Sequence, residues 1–309
     1  MLHEISFLSY NERDNVYGWI YVPAAKPKGI IQLVHGFGEH SRRYFHMIVK
    51  LMEAGYIVAA DDHVGHGKTA VENDTWGNWG HRGCETMMED EHTFKKLVQE
   101  KYPDLPYFIY GHSMGSIILR QFMAKYGDEL AGAIICGTVG PDAVPCDKGI
   151  ELLKPLVDAG KADESDPAML GNLLGGLFSR IEEVKLGNEW ICHDVYVQLD
   201  HAQDPFDAFT KPTSNGSLLQ FIEMIKEVNT VEWANAVPKA LPIYNIAGDE
   251  DPCGSFGEGV KLVTKWLEES GHKVETKLYE GYRHEIHNYK DLKDEVEAGI
   301  IKFVDSVVG

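Results

Sequence analysis

The sequence is poor in positive charge. Its 309 residues carry 29 Lys and Arg against 48 Asp and Glu, a formal net charge of −19. That surplus opposes stable association with polyanions, so nucleic acid and anionic bilayers are excluded as standing partners. Long hydrophobic runs are missing as well: nothing approaches the about 18 uninterrupted apolar residues of a membrane-spanning helix. The N-terminal stretch MLHEISFLSYNERD has neither a basic start nor an apolar segment of signal-peptide length. The expectation is a protein with no stable membrane anchor that stays where it is made, in the cytoplasm. Cysteine is scarce too. The five present, Cys84, Cys136, Cys146, Cys192 and Cys253, are odd in number and form no C-x-x-C pair, which speaks against a disulfide framework or a thiolate zinc site. Low-complexity tracts and internal repeats are absent. What remains is an ordinary globular composition, 44% hydrophobic and 25% charged, long enough for one large α/β domain carrying an insertion.

The most informative stretch is Pro106 to Gly127, PYFIYGHSMGSIILRQFMAKYG. Tyr107 to Tyr110 is a short β-rich apolar run. From Gly115 onward, Ile118, Leu119, Phe122, Met123 and Tyr126 recur at spacings of three and four, with Gly127 placed to cap a helix. The period changes at Ser113. So abrupt a strand-to-helix reversal strains the hinge residue and brings backbone against backbone, so the positions two before and two after it must lack a Cβ. Gly111 and Gly115 occupy them, giving a G-x-S-x-G elbow with the serine hydroxyl lifted clear of the sheet and a helix N-terminus favouring negative charge beside it. Five residues alone are weak evidence, since Gly and Ser at roughly 7% each give about 0.1 chance matches in a chain this long. The flanking strand and amphipathic helix supply the context.

Read in order, His3 to Tyr10 and Val16 to Val22 form a hairpin across a turn-rich loop. Gly29 to Val34 is a buried strand, Tyr44 to Ala54 a helix and Tyr56 to Asp61 another buried strand. The strand at 29–34 ends in His35-Gly36-Phe37-Gly38-Glu39-His40, where small residues let the backbone approach a ligand, and the Phe37 amide is the candidate second oxyanion donor. Asp62-His63-Val64-Gly65-His66-Gly67-Lys68-Thr69 has neither helical metal-ligand spacing nor a P-loop GK[ST], and reads as a structural turn. Cys84 to Tyr102 is a helix and Leu130 to Cys136 a strand. Regular alternation of strand and helix then stops. From about Gly140 to Val228 only helix-like segments are legible (Ile150 to Ala159, Ala168 to Ile181, Ser217 to Glu227), so residues 140–228 read as an inserted helical cap on a core of 1–139 and 229–309. In the cap, Met169, Leu170, Leu173, Leu174, Leu177 and Phe178 form an apolar stripe loosened by Gly171, Gly175 and Gly176, a candidate acyl-chain pocket and lid. The sheet resumes at Leu241 to Ala247. A helix at Ser255 to Ser270, a strand at Lys273 to Leu278 and a helix at Asp291 to Val308 complete the chain.

A serine nucleophile needs an imidazole base, and the imidazole needs a carboxylate. In the order serine, acid, histidine, acids follow the strand at 241–247 as Gly248-Asp249-Glu250-Asp251. His284 and His287 follow the last strand, whereas His272 precedes it and belongs at the other end of the sheet. His35 to His40, Gly111-His112-Ser113-Met114-Gly115-Ser116, Gly248 to Asp251 and Tyr279-Glu280-Gly281-Tyr282-Arg283-His284 together resemble the monoacylglycerol lipase and lysophospholipase branch of the α/β-hydrolases, over most of the chain. Asp204-Pro205-Phe206 resembles the family's Asp-Pro element. Val64 stands where the family usually has arginine, and Thr69 where it usually has serine.

The resemblance implies an eight-stranded, mostly parallel sheet with helices on both faces and a helical cap. It also implies Ser113 as nucleophile, Asp251 rather than Asp249 or Asp142 as the acid, His284 as the base, and the amides of Phe37 and Met114 as the oxyanion hole. The chemistry expected is hydrolysis of a small-molecule ester or lipid through an acyl-enzyme, with no metal or cofactor. Two rival readings use the same residues: a proline-type aminopeptidase, for which Glu151, Asp158, Glu182 and Glu183 could hold the substrate ammonium, and a non-catalytic binding protein on the same fold.

Overall fold

A single eight-stranded sheet, in the order β1-β2-β4-β3-β5-β6-β7-β8, runs through the molecule. The computed structural model describes residues 1–207, 209 and 211–309. β1 (Leu2–Leu8) and β2 (Asn15–Tyr21) form the edge hairpin. β1 pairs antiparallel with β2, and β2 with β4. β3 (Gly29–Val34), β4 (Tyr56–Asp62), β5 (Tyr107–His112), β6 (Gly132–Cys136), β7 (Ile243–Gly248) and β8 (Val274–Tyr279) pair parallel to one another. The five strands β3 to β7 are buried along their whole length, which is why their sequences are continuous apolar runs instead of alternating ones.

The helices that connect strands are α1 (Phe45–Glu53), α2 (Gly67–Asn73), α3 (Thr86–Lys101), α4 (Met114–Tyr126) and α10 (Glu258–Glu269), and α11 (Lys293–Val308) follows β8. Between β6 and β7 come α5 (Cys146–Asp158), α6 (Pro167–Leu174), α7 (Val195–Gln203), α8 (Asn215–Val228) and α9 (Val231–Ala236), with no strand among the described residues. This excursion is seated on the elbow helix, because α8 packs on both α4 and α5. Arg120 of α4 fixes both of its ends. Buried, it donates to Val139 O at 3.1 Å and to Val228 O at 2.5 Å, and its guanidinium lies 4.4 Å from the Trp233 ring.

Several expected features differ in detail. Helix α2 begins inside the stretch read as a plain turn, because Asp62 Oδ2 accepts the Lys68 amide at 2.7 Å and organises the first turn despite two glycines. Helices α7 and α9 were not foreseen, although each starts at a side-chain cap, Asp194 on Tyr196 N and Thr230 on Trp233 N. The stripe helix is shorter than its periodicity, α6 giving way to a 3-10 turn at Gly175–Phe178. Gly127 is no left-handed cap, since its φ is −61°. A Cβ there would press to 2.7 Å on the Pro238 ring, so close packing is what the glycine permits.

Candidate functional site

The elbow is built as the residue types require. Ser113 has φ 56° and ψ −120°, a strained combination worth about 1–3 kcal/mol. A Cβ on Gly111 would overlap the Gly115 carbonyl, and one on Gly115 would overlap the Val34 carbonyl. The hinge is pinned by the Ser113 amide donating to Cys136 O at 3.0 Å. Half-buried, Ser113 shares a cavity of about 20 Å³ with Gly36, Phe37, His112, Trp190, Phe209 and His284, among others.

Of the three candidate acids, only Asp251 reaches a histidine. His284 Nδ1 donates to Asp251 Oδ2 at 2.8 Å, with both residues buried. Asp251 Oδ1 accepts the Cys253 amide at 2.8 Å, which fixes the carboxylate plane. Asp249 instead accepts the Gly281 amide at 2.7 Å, and Asp142 is exposed and lines a different groove. His287 lies behind the site, stacked on Tyr44 at 4.8 Å. His272 bonds the Leu267 and Val237 carbonyls, away from the site. His284 Nε2 is buried and has no hydrogen-bond partner among the described residues. Burial pushes the His284 imidazole towards the neutral form, but the Asp251 carboxylate outweighs it and holds the ring well above the ordinary 6.5. Burial pushes the Cys253 thiol up.

Phe37 lies on the loop after β3 and lines the same cavity as Ser113, the residue before α4. Neither the Phe37 nor the Met114 amide donates to a backbone acceptor among the described residues, whereas the neighbouring Gly36 amide is taken by Glu39 Oε1 at 2.6 Å. That glutamate organises the loop. Its Oε1 also accepts from Tyr44 Oη at 2.7 Å and lies 3.2 Å from His112 Nδ1, while Oε2 accepts from Arg43 at 2.9 Å. Arg43 in turn grips Glu285, the residue after His284, through two bonds of 2.6 and 2.9 Å. Burial pushes the Glu39 carboxyl up, but His112 and Arg43 hold it well below the carboxylate range. Arg43 likewise overcomes burial to hold Glu285 at about 2. One buried cation therefore ties the loop after β3 to the loop after β8. These network residues were missed in the sequence because their partners are remote in the chain; the only trace was Glu39 inside the His35–His40 stretch.

The Asp-Pro element docks the excursion onto that same loop. His40 Nε2 donates to Asp204 Oδ2 at 2.9 Å, and the Phe206 ring lies 4.5 Å from the Arg42 guanidinium. The apolar stripe is placed otherwise than expected. None of Met169, Leu170, Leu173, Leu174, Leu177 and Phe178 lines the cavity at Ser113, which the excursion closes with Trp190, Ile191, His201 and Phe209. The stripe is largely buried, with Leu173 packed towards α5 near Gly149 and Ile222. Leu177 alone reaches a second cavity, of about 540 Å³, whose walls include Ile181, Trp190, Pro252, Phe256 and Arg283. Trp190 borders both cavities, its ring 5.0 Å from that of His284. Glu182 and Glu183 line the larger cavity, whereas Glu151 and Asp158 are exposed on α5 and line neither.

A strained serine at the carboxyl edge of a parallel sheet, with an Asp-supported imidazole on the loop after the last strand, marks an α/β-hydrolase. The comparisons agree. The chain belongs to the family described as serine aminopeptidase, S33, which matches residues 25–291, and within it to the monoacylglycerol lipase-like branch; it is a carboxylic ester hydrolase. It is similar to a thermostable carboxyl esterase of Bacillus coagulans, crystallised with glycerol, at 54% identity and TM-score 0.97, covering 100% of this chain and 99% of that one. It resembles a lipase solved in an open form at 37% identity and TM-score 0.91, covering 100% of both. The monoacylglycerol lipase of Mycolicibacterium smegmatis is 26% identical over 91% of each chain.

Proposed function

We propose that the protein hydrolyses carboxylic esters with apolar acyl chains, of the monoacylglycerol or medium-chain type, through Ser113, His284 and Asp251. The observation that carries this reading is the buried 2.8 Å bond from His284 Nδ1 to Asp251, which leaves Nε2 unpartnered beside a cavity that Ser113 also lines. Ser113 Oγ attacks the ester carbonyl as His284 Nε2 takes its proton. The Phe37 and Met114 amides receive the oxyanion, with the α4 N-terminus reinforcing them. His284 then protonates the departing alcohol, and water, activated by the same nitrogen, cleaves the acyl-enzyme.

A cavity of about 20 Å³ has room for little more than one water. The substrate chain therefore needs the neighbouring cavity of about 540 Å³, and Trp190 is the wall between the two. Movement of the 140–228 cap segment carrying Trp190 would join them. Leu177, Ile181, Pro252 and Phe256 then give the chain apolar surface, worth about 0.8 kcal/mol per buried methylene.

Aminopeptidase action is a second reading, favoured by Glu182 and Glu183 in the wall of the larger cavity. Comparing a p-nitrophenyl octanoate with a prolyl p-nitroanilide separates the two. The ester is expected to be the substrate, and Ser113→Ala is expected to lose roughly 10⁴- to 10⁶-fold in turnover with folding retained. A Ser113→Ala protein with more than a few per cent of wild-type turnover, or no fluorophosphonate label on Ser113 in the wild type, would sink the assignment.

A further inference from the structure

Outside the catalytic centre, three side chains meet in the dry interior between β4 and α3. Asp61 of β4, His63 just beyond that strand and Glu91 of α3 are exposed by 0%, 1% and 0%. One donor atom from each lies within 4.8 Å of the other two. Both Asp61 oxygens, His63 Nδ1 and Glu91 Oε1 have no hydrogen-bond partner among the described residues. Buried polar atoms are almost always paired, so unpaired ones that face each other imply a cation or a shared proton between them.

The atoms on the far side of each group are already committed. His63 Nε2 lies 3.2 Å from His35 O. A carbonyl only accepts, so Nε2 carries a proton and Nδ1 is the ring atom turned inward. There it meets Glu91 Oε1 at 3.1 Å. Glu91 Oε2 is taken by Gln32 Nε2, and Gln32 Oε1 by the Tyr107 hydroxyl. Such outer bonds are how metal-binding histidines and carboxylates are usually oriented. The 3.1 Å spacing is close to the edge of a tetrahedron whose donors stand about 2.0–2.1 Å from an ion, about 3.3 Å. The other neighbours supply no cation. Burial pushes His35, stacked on His63 at 3.9 Å, well below the ordinary imidazole value, and takes His66 to about 4. Asp62 is turned to Ser41 and Arg42, and Asp90 to Ser9 and the Tyr10 amide.

We propose that Asp61, His63 and Glu91 form a buried structural site for one divalent cation, Zn²⁺ or Mn²⁺, tying β4 to α3 behind the loop that begins at His35. Two carboxylates balance the ion's charge, and oxygen with imidazole donors suit these metals. Because the donors are sealed from solvent, the ion enters as the chain folds, and its binding adds directly to stability.

The test begins with untagged protein grown in medium supplemented with Zn²⁺ and Mn²⁺, purified without chelator and assayed by inductively coupled plasma mass spectrometry beside Glu91→Gln and Asp61→Asn. About one cation per chain is expected in the wild type, with almost none in either variant. Should the variants not fold, the wild type decides alone. Unfolded in EDTA and refolded with and without Zn²⁺ or Mn²⁺, it is expected to melt several degrees higher with the metal. A wild type that carries no stoichiometric cation and refolds to the same Tm either way overturns the proposal. So does a cation retained in full by both folded variants, which places the metal elsewhere, for instance among His112, Cys136 and His287. In the first case the cluster holds shared protons, and stability would fall as pH rises from the ordinary carboxyl range towards about 8, where burial places Glu91 without a metal.

Discussion

Single residues set the chemistry here through their surroundings. In the proposed mechanism His284 must be neutral to accept the Ser113 proton, yet Asp251 holds its pKa above 6.5. The fraction of competent base therefore grows as pH rises through that raised value. The acid limb of kcat/KM for an uncharged ester is expected to lie above 6.5, and Asp251→Asn should shift it downward while costing on the order of 10⁴-fold in rate. A limb at or below the ordinary imidazole value in the wild type would mean that the Asp251 carboxylate does not control this base. Asp251 and Asp249 are two positions apart and chemically alike. What separates them is that the backbone after β7 turns one towards His284 and the other towards the Gly281 amide.

At the scale of elements, the site is a meeting of loops held by buried charge. Arg43 joins the loop after β3 to the loop after β8 through Glu39 and Glu285, all nearly sealed from water. Arg43→Met leaves two carboxylates without their cation and is expected to cost about 3–5 kcal/mol in urea unfolding, with kcat reduced as the oxyanion loop loses its anchor. A loss under about 1 kcal/mol, the range of exposed pairs, would show the network to be incidental. Trp190, Ile191, His201 and Phe209 close the cavity that Ser113 lines. Trp190→Ala joins the two cavities, so the ratio of kcat/KM for octanoate to that for acetate esters of one alcohol should rise several-fold. An unchanged ratio would show that the chain enters by another route.

For the molecule as a whole, charge is the dominant feature. A net charge of −19 repels anionic substrates over about a Debye length, near 10 Å at 0.1 M salt. The cavity beside the triad carries Glu182, Glu183, Glu189 and Glu250 against Arg180 and Arg283, so nothing local reverses the field. Monoacylglycerol is expected to be turned over faster than lysophosphatidic acid of the same chain, the gap narrowing as salt is added. Equal rates at low ionic strength would contradict this. Among the described residues, no helix is long and apolar enough to cross a membrane.

The amino-acid sequence alone determined what local rules govern. The buried strands β3 to β7 are apolar runs, the elbow needs Gly111 and Gly115, and the reversal of period marks Ser113. These follow from sterics and burial within a few residues, so they can be read in the chain. Tertiary structure decided what depends on residues far apart in sequence. It brought Asp251 and His284 into the contact that the family resemblance implies, and lined the Ser113 cavity with Trp190, Ile191 and Phe209 where the stripe at 169–178 was expected. It also gathered Glu39, Arg43 and Glu285, and Asp61, His63 and Glu91, into buried clusters. Helical periodicity shows that a face is apolar but not which surface covers it, and a buried charge acquires its partner only when the sheet brings distant loops together.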